Sequence, residues 1–449
     1  MRNFDLEVLV SKNNDAIVKN NSKCVVCGHC LDVCKNDITV ARMYEMSPDR
    51  EPICINCGQC ANICPTEAIH EKFQYLKVKK LLKNKRGKIV CFSVAPAVRV
   101  ALGEEFGYPV GTNLEEKIPT LFRSIGADYV FDITFGADLT IMEEAMEFVN
   151  RLKSGKRLPQ FTSCCPAWVK YAEIFYPEIL PNLSTTKSPI SMQSSIIKTY
   201  FAKEKNIDPD NIINIVIAPC TAKKSEINRK EVSYTNKDTD YVLTTREAAL
   251  LLKEFDVDFS KIESSSFDSP LGVGSGAGVI FGNSGGVMEA SIRTAYFFLT
   301  GKNLRKEKLV FDDVRGAAGI KKLSLEIDGK TIKFAVCNGM ASAKKLIDKV
   351  IKGEDEYHFI EVMNCRGGCI AGGGQPKITL LNMHNTKTSR MDALYKEDSD
   401  KEIRLCHKNP EIISIYKNFL EEPNSSISKK LLHTKYFDKS YMLRGDKNE

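Results

Sequence analysis

The apolar residues of this chain change their rhythm near residue 88. From there on, short runs dense in β-branched and aromatic residues alternate with longer stretches of helical period. KIVCFSVA (88–95), DYVFDIT (128–134), LPQFTS (158–163), IINIVIA (212–218), KFAVCNG (333–339) and YHFIEVM (357–363) read as strands. PAVRVALGEEF (96–106), LTIMEEAMEFVNRLKSG (139–155), CCPAWVKYAEIF (164–175), PCTAKKSEINRK (219–230) and MASAKKLIDKVIKG (340–353) read as the helical stretches that follow the first five. Strands alternating with helices predict α/β layers with largely parallel strands. Ligands of such sheets bind beyond the carboxyl ends of the strands.

Cysteine dominates the segment before residue 88. CVVCGHCLDVC places Cys24, Cys27, Cys30 and Cys34, and CINCGQCANIC places Cys54, Cys57, Cys60 and Cys64. Both runs are C-x2-C-x2-C-x3-C, the spacing of bacterial ferredoxins with two 4Fe–4S clusters. Gly28 and Gly58 are small enough for backbone to approach a cluster closely. The fourth cysteine of each run then serves the other cluster. One set is expected to be Cys24, Cys27, Cys30 and Cys64, and the other Cys54, Cys57, Cys60 and Cys34. Residues 1–85 are thus expected to form a small ferredoxin-like electron-relay domain, and 86–449 a larger α/β unit.

The remaining eight of the sixteen cysteines fall in the larger unit. Cys91 and Cys337 sit inside apolar strands and Cys406 in a late segment, where cysteine usually serves as a small hydrophobe. Cys164, Cys165, Cys220 and Cys365 each follow a predicted strand end, with Cys369 four residues after the last. A parallel sheet can gather such positions into one cleft. CRGGCIAGGGQP (365–376) lacks the Lys-Ser/Thr of a phosphate loop, so its glycines fit close passage around a bulky group instead.

Composition narrows the picture. With 449 residues and 43% hydrophobic residues the chain can build a full core. It has no apolar run long enough to span a membrane. The start MRNFDLEVLVSKNN lacks the features of a signal peptide, which predicts a cytoplasmic protein. The formal net charge is +7, and lysines cluster in KVKKLLKNKRGK (77–88), which reads as a solvated face or a docking surface for an acidic protein. No nucleic-acid motif accompanies it.

Three stretches resemble the signatures of FeFe hydrogenases: TSCCPAW (162–168), PCTAKKSE (219–226) and EVMNCRGGCIAGGGQP (361–376). The resemblance continues through SVAPAVRVALGEEFG, FGADLTIMEEAMEF, GVIFGNSGGVMEASIRTAY, DALYKEDSD, RLCHKNP and LLHTKY. It implies a two-lobed catalytic domain with the active site between the lobes, interconverting H2 with two protons and two electrons. It also implies an H-cluster, a 4Fe–4S cube on Cys165, Cys220, Cys365 and Cys369. Cys369 would bridge the cube to a two-iron subsite carrying CO, cyanide and an azadithiolate. By the same resemblance Lys223 and the Ala95–Pro96 loop pack around the cyanides, and Met363 and Phe281 lie beside the subsite.

Cys164 would pass protons to the bridging amine, a task that suits a thiol with an ordinary pKa near 8.5. The path to solvent would run from Cys164 through Glu144, Ser184, Glu147 and Arg151; Glu144, Glu147 and Arg151 share one helix face. Implied partners are ferredoxin or flavodoxin and the maturation proteins that insert the two-iron unit, with no nucleic acid or membrane and a monomeric chain. The chain departs from the family pattern at Ala218, Ile190, Ala167 and Ala97, each expected to alter packing, water or hydrogen bonding near the subsite. Two other readings, a low-turnover hydrogen sensor and a non-enzymatic iron–sulfur assembly relative, would go with an added sensory module or a lost two-iron pocket.

Overall fold

The computed structural model describes residues 6–316, 318–378 and 382–444. Two short antiparallel strands, β1 (Ile17–Lys19) and β2 (Ile69–Glu71), tie together the ends of the cysteine-rich segment. Two four-stranded sheets follow, one per lobe. The first is built of β3 (Ile89–Val94), β4 (Tyr129–Asp132), β6 (Ile212–Ala218) and β7 (Tyr241–Thr244), in the order β4-β3-β6-β7 and parallel throughout. The second contains β5 (Gln160–Phe161), β8 (Ile320–Ile327), β9 (Lys330–Asn338) and β10 (Phe359–Met363), in the order β5-β10-β9-β8. There β5, β10 and β9 are parallel and only β8 runs antiparallel, as a hairpin with β9.

The alternation therefore reports the architecture with two omissions, β7 and β8. Strand β8 carries its own signal, since Asp328-Gly329 stands between two runs of strand residues and both take positive φ, as a tight hairpin turn requires. Its residues alternate between covered and exposed because one face meets solvent at the sheet edge.

Among the helices, α1 (Tyr75–Lys83) closes the first 85 residues but buries Val78 and Leu82 in the core that holds Val90, Phe92 and Leu251. By sequence position it ends the first unit, and by packing it belongs to the second. Much of the lysine run is engaged there: Lys79 pairs with Glu254, Lys85 with Asp128 at 2.8 Å, and Lys88 bonds to Asn211 at 2.9 Å. Helix α2 (Ile133–Ser154) starts six residues before the expected 139, because the Asp132 side chain caps it by accepting from Thr134 N at 2.9 Å. Helices α3 (Pro166–Phe175) and α4 (Pro189–Ile196) each open on a proline, and α5 (Gly286–Thr300) and α6 (Met383–Asp400) complete the layers near the site. No helix among the described residues is long and apolar enough to cross a membrane.

Candidate metal centre and proton path

None of the sixteen cysteines is paired in a disulfide. Cys24, Cys27, Cys30 and Cys64 line one small cavity, so the last cysteine of the second run sits with the first three of the first run, as the ferredoxin spacing predicts. The second set lies deeper: Cys34 faces Cys54, Cys60 faces both, and Cys57 faces Cys60 and Cys54. Backbone N–H groups point at the sulfurs, from Val8 to Cys30 at 3.5 Å, Ile69 to Cys64 at 3.5 Å and Asn56 to Cys54 at 3.3 Å. Cys27 is exposed while Cys57 is buried, which orders the two sets from surface to interior.

The inner set abuts the two sheet-bearing lobes. A Cβ on Gly373 would lie 2.2 Å from Cys57 O, so only glycine lets the glycine-rich loop pass there. Thr221 Oγ1 donates to Asn56 O at 2.7 Å, and Arg246 clamps Glu71 at 2.8 Å. Gln59 crosses the junction: its Nε2 donates to Cys365 Sγ at 3.1 Å and to Ala371 O at 3.0 Å. Sequence reasoning missed Gln59, and nothing in the spacing of its own motif points to a partner some three hundred residues away.

The carboxyl ends of both sheets open on a single cavity. Ala95 and Pro96 reach it from β3, Cys164 and Cys165 from β5, Pro219, Cys220 and Lys223 from β6, and Met363, Asn364 and Cys365 from β10. Gly368 and Cys369 follow, and Phe281 closes the wall. Thus Cys165, Cys220, Cys365 and Cys369 face one space, with the five residues expected around the subsite among its walls. Ala218 and Ile190 also line it. Ala167 does not: it packs into the apolar cluster around Trp168, so its expected effect on water near the subsite acts only through α3.

Burial pushes all four cavity thiols up, Cys365 to about 11 and Cys369 to about 12, and the thiols repel one another. A buried quartet that resists ionising alone becomes a set of thiolates once cationic iron is beside it. Four buried thiols are a soft donor set that fits a 4Fe–4S cube.

Lys223 is buried and held charged by Glu226 at 2.8 Å, and its Nζ donates to Cys164 O at 3.1 Å. The Glu144 carboxyl is near enough to act electrostatically on the Cys164 thiol. Burial, reinforced by Glu144 and the other thiols, holds its thiol well above the ordinary range, which corrects the expectation of a thiol that titrates near neutrality. A neutral thiol carries a proton by handing it on and regaining one, so the position is still suited to a relay.

Glu144 is fully buried, and its carboxyl is pushed up to about 8 by burial and by Glu147, with the nearby Ser184 hydroxyl acting against the shift. Its Oε2 finds no hydrogen-bond partner among the described residues. Ser184 Oγ donates to Glu147 Oε2 at 2.9 Å, and Arg151 donates to Glu147 Oε1 at 2.6 Å. Of the five residues expected to carry protons, Ser184, Glu147 and Arg151 are joined by hydrogen bonds, Cys164 lines the cavity, and the buried Glu144 acts electrostatically on both Cys164 and Glu147. Cys91, Cys337 and Cys406 are fully buried away from the cavity.

Three family models match the chain. Residues 88–373 match the iron-only hydrogenase large subunit, C-terminal domain; residues 384–439 match the iron hydrogenase small subunit; residues 51–70 match a 4Fe-4S binding domain. The chain is 39% identical over 443 residues to iron hydrogenase 1 of Clostridium pasteurianum, covering 95% of this chain and 77% of that protein. It is 41% identical over 447 residues to an NADP-reducing hydrogenase subunit of Solidesulfovibrio fructosivorans, covering 94% and 74%. The structure of an apo [FeFe]-hydrogenase from Chlamydomonas reinhardtii superposes with a TM-score of 0.72 at 37% identity, covering 82% of this chain and 99% of that one.

Proposed function

We infer how the site works from one premise: this chain belongs to the iron-only hydrogenase family. It is an iron–sulfur hydrogenase acting on H2. We propose that it catalyses H2 = 2 H+ + 2 e− at an H-cluster held by Cys165, Cys220, Cys365 and Cys369, with electrons exchanged with ferredoxin or flavodoxin. The observation that carries this is the convergence of those four thiols, Cys164 and Lys223 from separate segments on one cavity. When bound, the H-cluster supplies redox-active iron with an open position for hydrogen, its two-iron unit inserted by maturation proteins.

The residues of the chain do the rest. Ala95, Pro96, Phe281 and Met363 keep the cavity apolar and exclude water. Lys223, charged and buried, is a charge-assisted donor toward an anionic ligand of the subsite. Cys164 exchanges protons at the site and is resupplied through Glu144, Ser184, Glu147 and Arg151. The set containing exposed Cys27, the set containing Cys57 and the quartet containing Cys365 would each hold an iron–sulfur cluster, which together would supply an electron path from the surface to the cavity. The assembly-relative reading would go with loss of this pocket, and every pocket group is present.

Fully matured protein is expected to bind about fourteen irons per chain, three cubes and a two-iron unit. It should show infrared bands of CO and cyanide where protein does not absorb. An iron content near eight in active protein, or no such bands after maturation, would reject the assignment. Gln59 gives a second test. A donor to a cluster thiolate favours the more negative, reduced state, so Gln59→Leu is expected to lower the cube's potential by on the order of tens of millivolts. A redox titration followed by electron paramagnetic resonance measures this; an unchanged potential would mean that the bond is not made to the ligated sulfur.

A further inference from the structure

Glu143 and Glu144 are neighbours on α2 but face different ways. Glu143 is buried in a second polar cluster, where Oε1 accepts from Tyr416 Oη at 2.5 Å and Oε2 accepts from Asn424 N at 2.8 Å. His433 Nε2 lies 3.0 Å from the same Oε2, and its other nitrogen, Nδ1, lies 2.7 Å from Thr185 Oγ1. Thr185 Oγ1 is in turn 3.3 Å from Glu147 Oε1, while the Thr185 N–H donates to Glu147 Oε2 at 3.0 Å. Glu143, His433, Thr185 and Glu147 thus form one unbroken string that meets the proton path at its half-buried carboxylate. Tyr416 faces its inner end; Arg151 and Tyr436 face its outer end.

We propose that His433 is a proton-holding branch of the path, exchanging a proton with Glu147 through the Thr185 hydroxyl. Thr185 has one hydroxyl proton and two acceptors in reach, so the charge on the ring decides where it points. A neutral ring whose Nε2–H is held by Glu143 accepts at Nδ1, and Thr185 donates to it. A protonated ring donates from both nitrogens, and the Thr185 proton turns to Glu147. Transfer then breaks the His433 Nδ1–H and Thr185 O–H bonds and forms a new Thr185 O–H and a Glu147 O–H. The imidazole becomes neutral, the carboxylate takes up the proton, and no electron moves. Imidazole, with separate donor and acceptor nitrogens, is built for such a relay. The short C-terminal stretch is held in register for it, because Thr434 N donates to Thr185 O at 2.7 Å and Lys187 N to Leu432 O at 2.8 Å.

This inference rests on the reading of Glu147 as a member of the proton path, and the test separates the two. Thr185→Val keeps the side-chain shape and the backbone bond to Glu147 but removes the hydroxyl; His433→Gln removes the ring. In matured enzyme both are expected to lower proton-reduction turnover by about tenfold, less than the 10²–10⁴ of a positioned acid–base group because Glu147 keeps its other partners. The H2O/D2O rate ratio should rise in both, while iron content, infrared bands and the KM for the electron carrier stay as in the parent. Thr185→Ser should restore turnover and isotope ratio. If Thr185→Val and His433→Gln keep the parental turnover and isotope ratio while Glu147→Gln is inactive, the branch is rejected and the path stands. If Thr185→Ser falls as far as Thr185→Val, the string is a structural brace and the branch is again rejected. If Glu147→Gln also keeps near-parental turnover, the path fails and the branch with it.

Discussion

Cys164→Ala is expected to load all its iron and turn over almost no hydrogen. Cys164 is not one of the four thiols assigned to the cube, and the Lys223 bond is made to its backbone oxygen, which alanine keeps. The infrared bands should persist with small shifts. What the substitution removes is the proposed carrier between the cavity and Glu144, and a positioned acid–base group contributes about 10²–10⁴-fold. Cys164→Asp should recover part of the rate, since a carboxyl also carries a proton. Cys165→Ala should differ in kind: it removes a member of the buried quartet, so iron content and the cube's paramagnetic signal should both fall. Near-parental turnover in Cys164→Ala, or loss of clusters like that in Cys165→Ala, would show that the two adjacent cysteines do not divide the work in this way.

Glu144→Gln is expected to be both nearly inactive and more stable in alkali than the parent. The amide has almost the shape of the acid but cannot release and regain a proton, so turnover should fall by about 10²–10⁴-fold. The stability effect follows from the carboxyl held at about 8 by burial and by Glu147. Between the ordinary carboxylate range and that value the folded protein keeps a proton that the unfolded chain has released. The contribution is therefore full in acid and is lost as pH rises through about 8. The substituted amide has no charge to bury, so the variant should lose less stability than the parent between about pH 6 and about pH 9, a difference of at most about a few kcal/mol. Thermal unfolding of matured protein at the two pH values measures it. Equal alkaline losses would mean that Glu144 is ionised in the fold, and parental turnover would remove it from the proton path.

What the sequence determined by itself is what depends on near neighbours. Cysteine spacing gathers three thiols within a few residues, so both ferredoxin-like runs could be read directly. Strand runs such as IINIVIA are buried on both faces and stand out as unbroken apolar stretches, so the parallel sheets and the loops at their carboxyl ends were legible, and with them the positions of Cys165, Cys220 and Cys365. The edge strand β8 escaped because half of its residues face solvent and dilute the signal, although Asp328-Gly329 marked its turn. Helix periodicity put Glu144, Glu147 and Arg151 on one face but could not say that Glu143, one residue away, would be enclosed by Tyr416, Asn424 and His433 from the far end of the chain.

Only the tertiary structure decided those long-range matters. It brought Gln59 onto Cys365, ran His433 through Thr185 to Glu147, and moved α1 from the segment it ends into the core of the next. It also set the proton affinities. Cys164 and Glu144 are ordinary groups in the sequence and become reluctant acids in the fold, because desolvation depends on which segments close over a side chain, and those segments are far away along the chain.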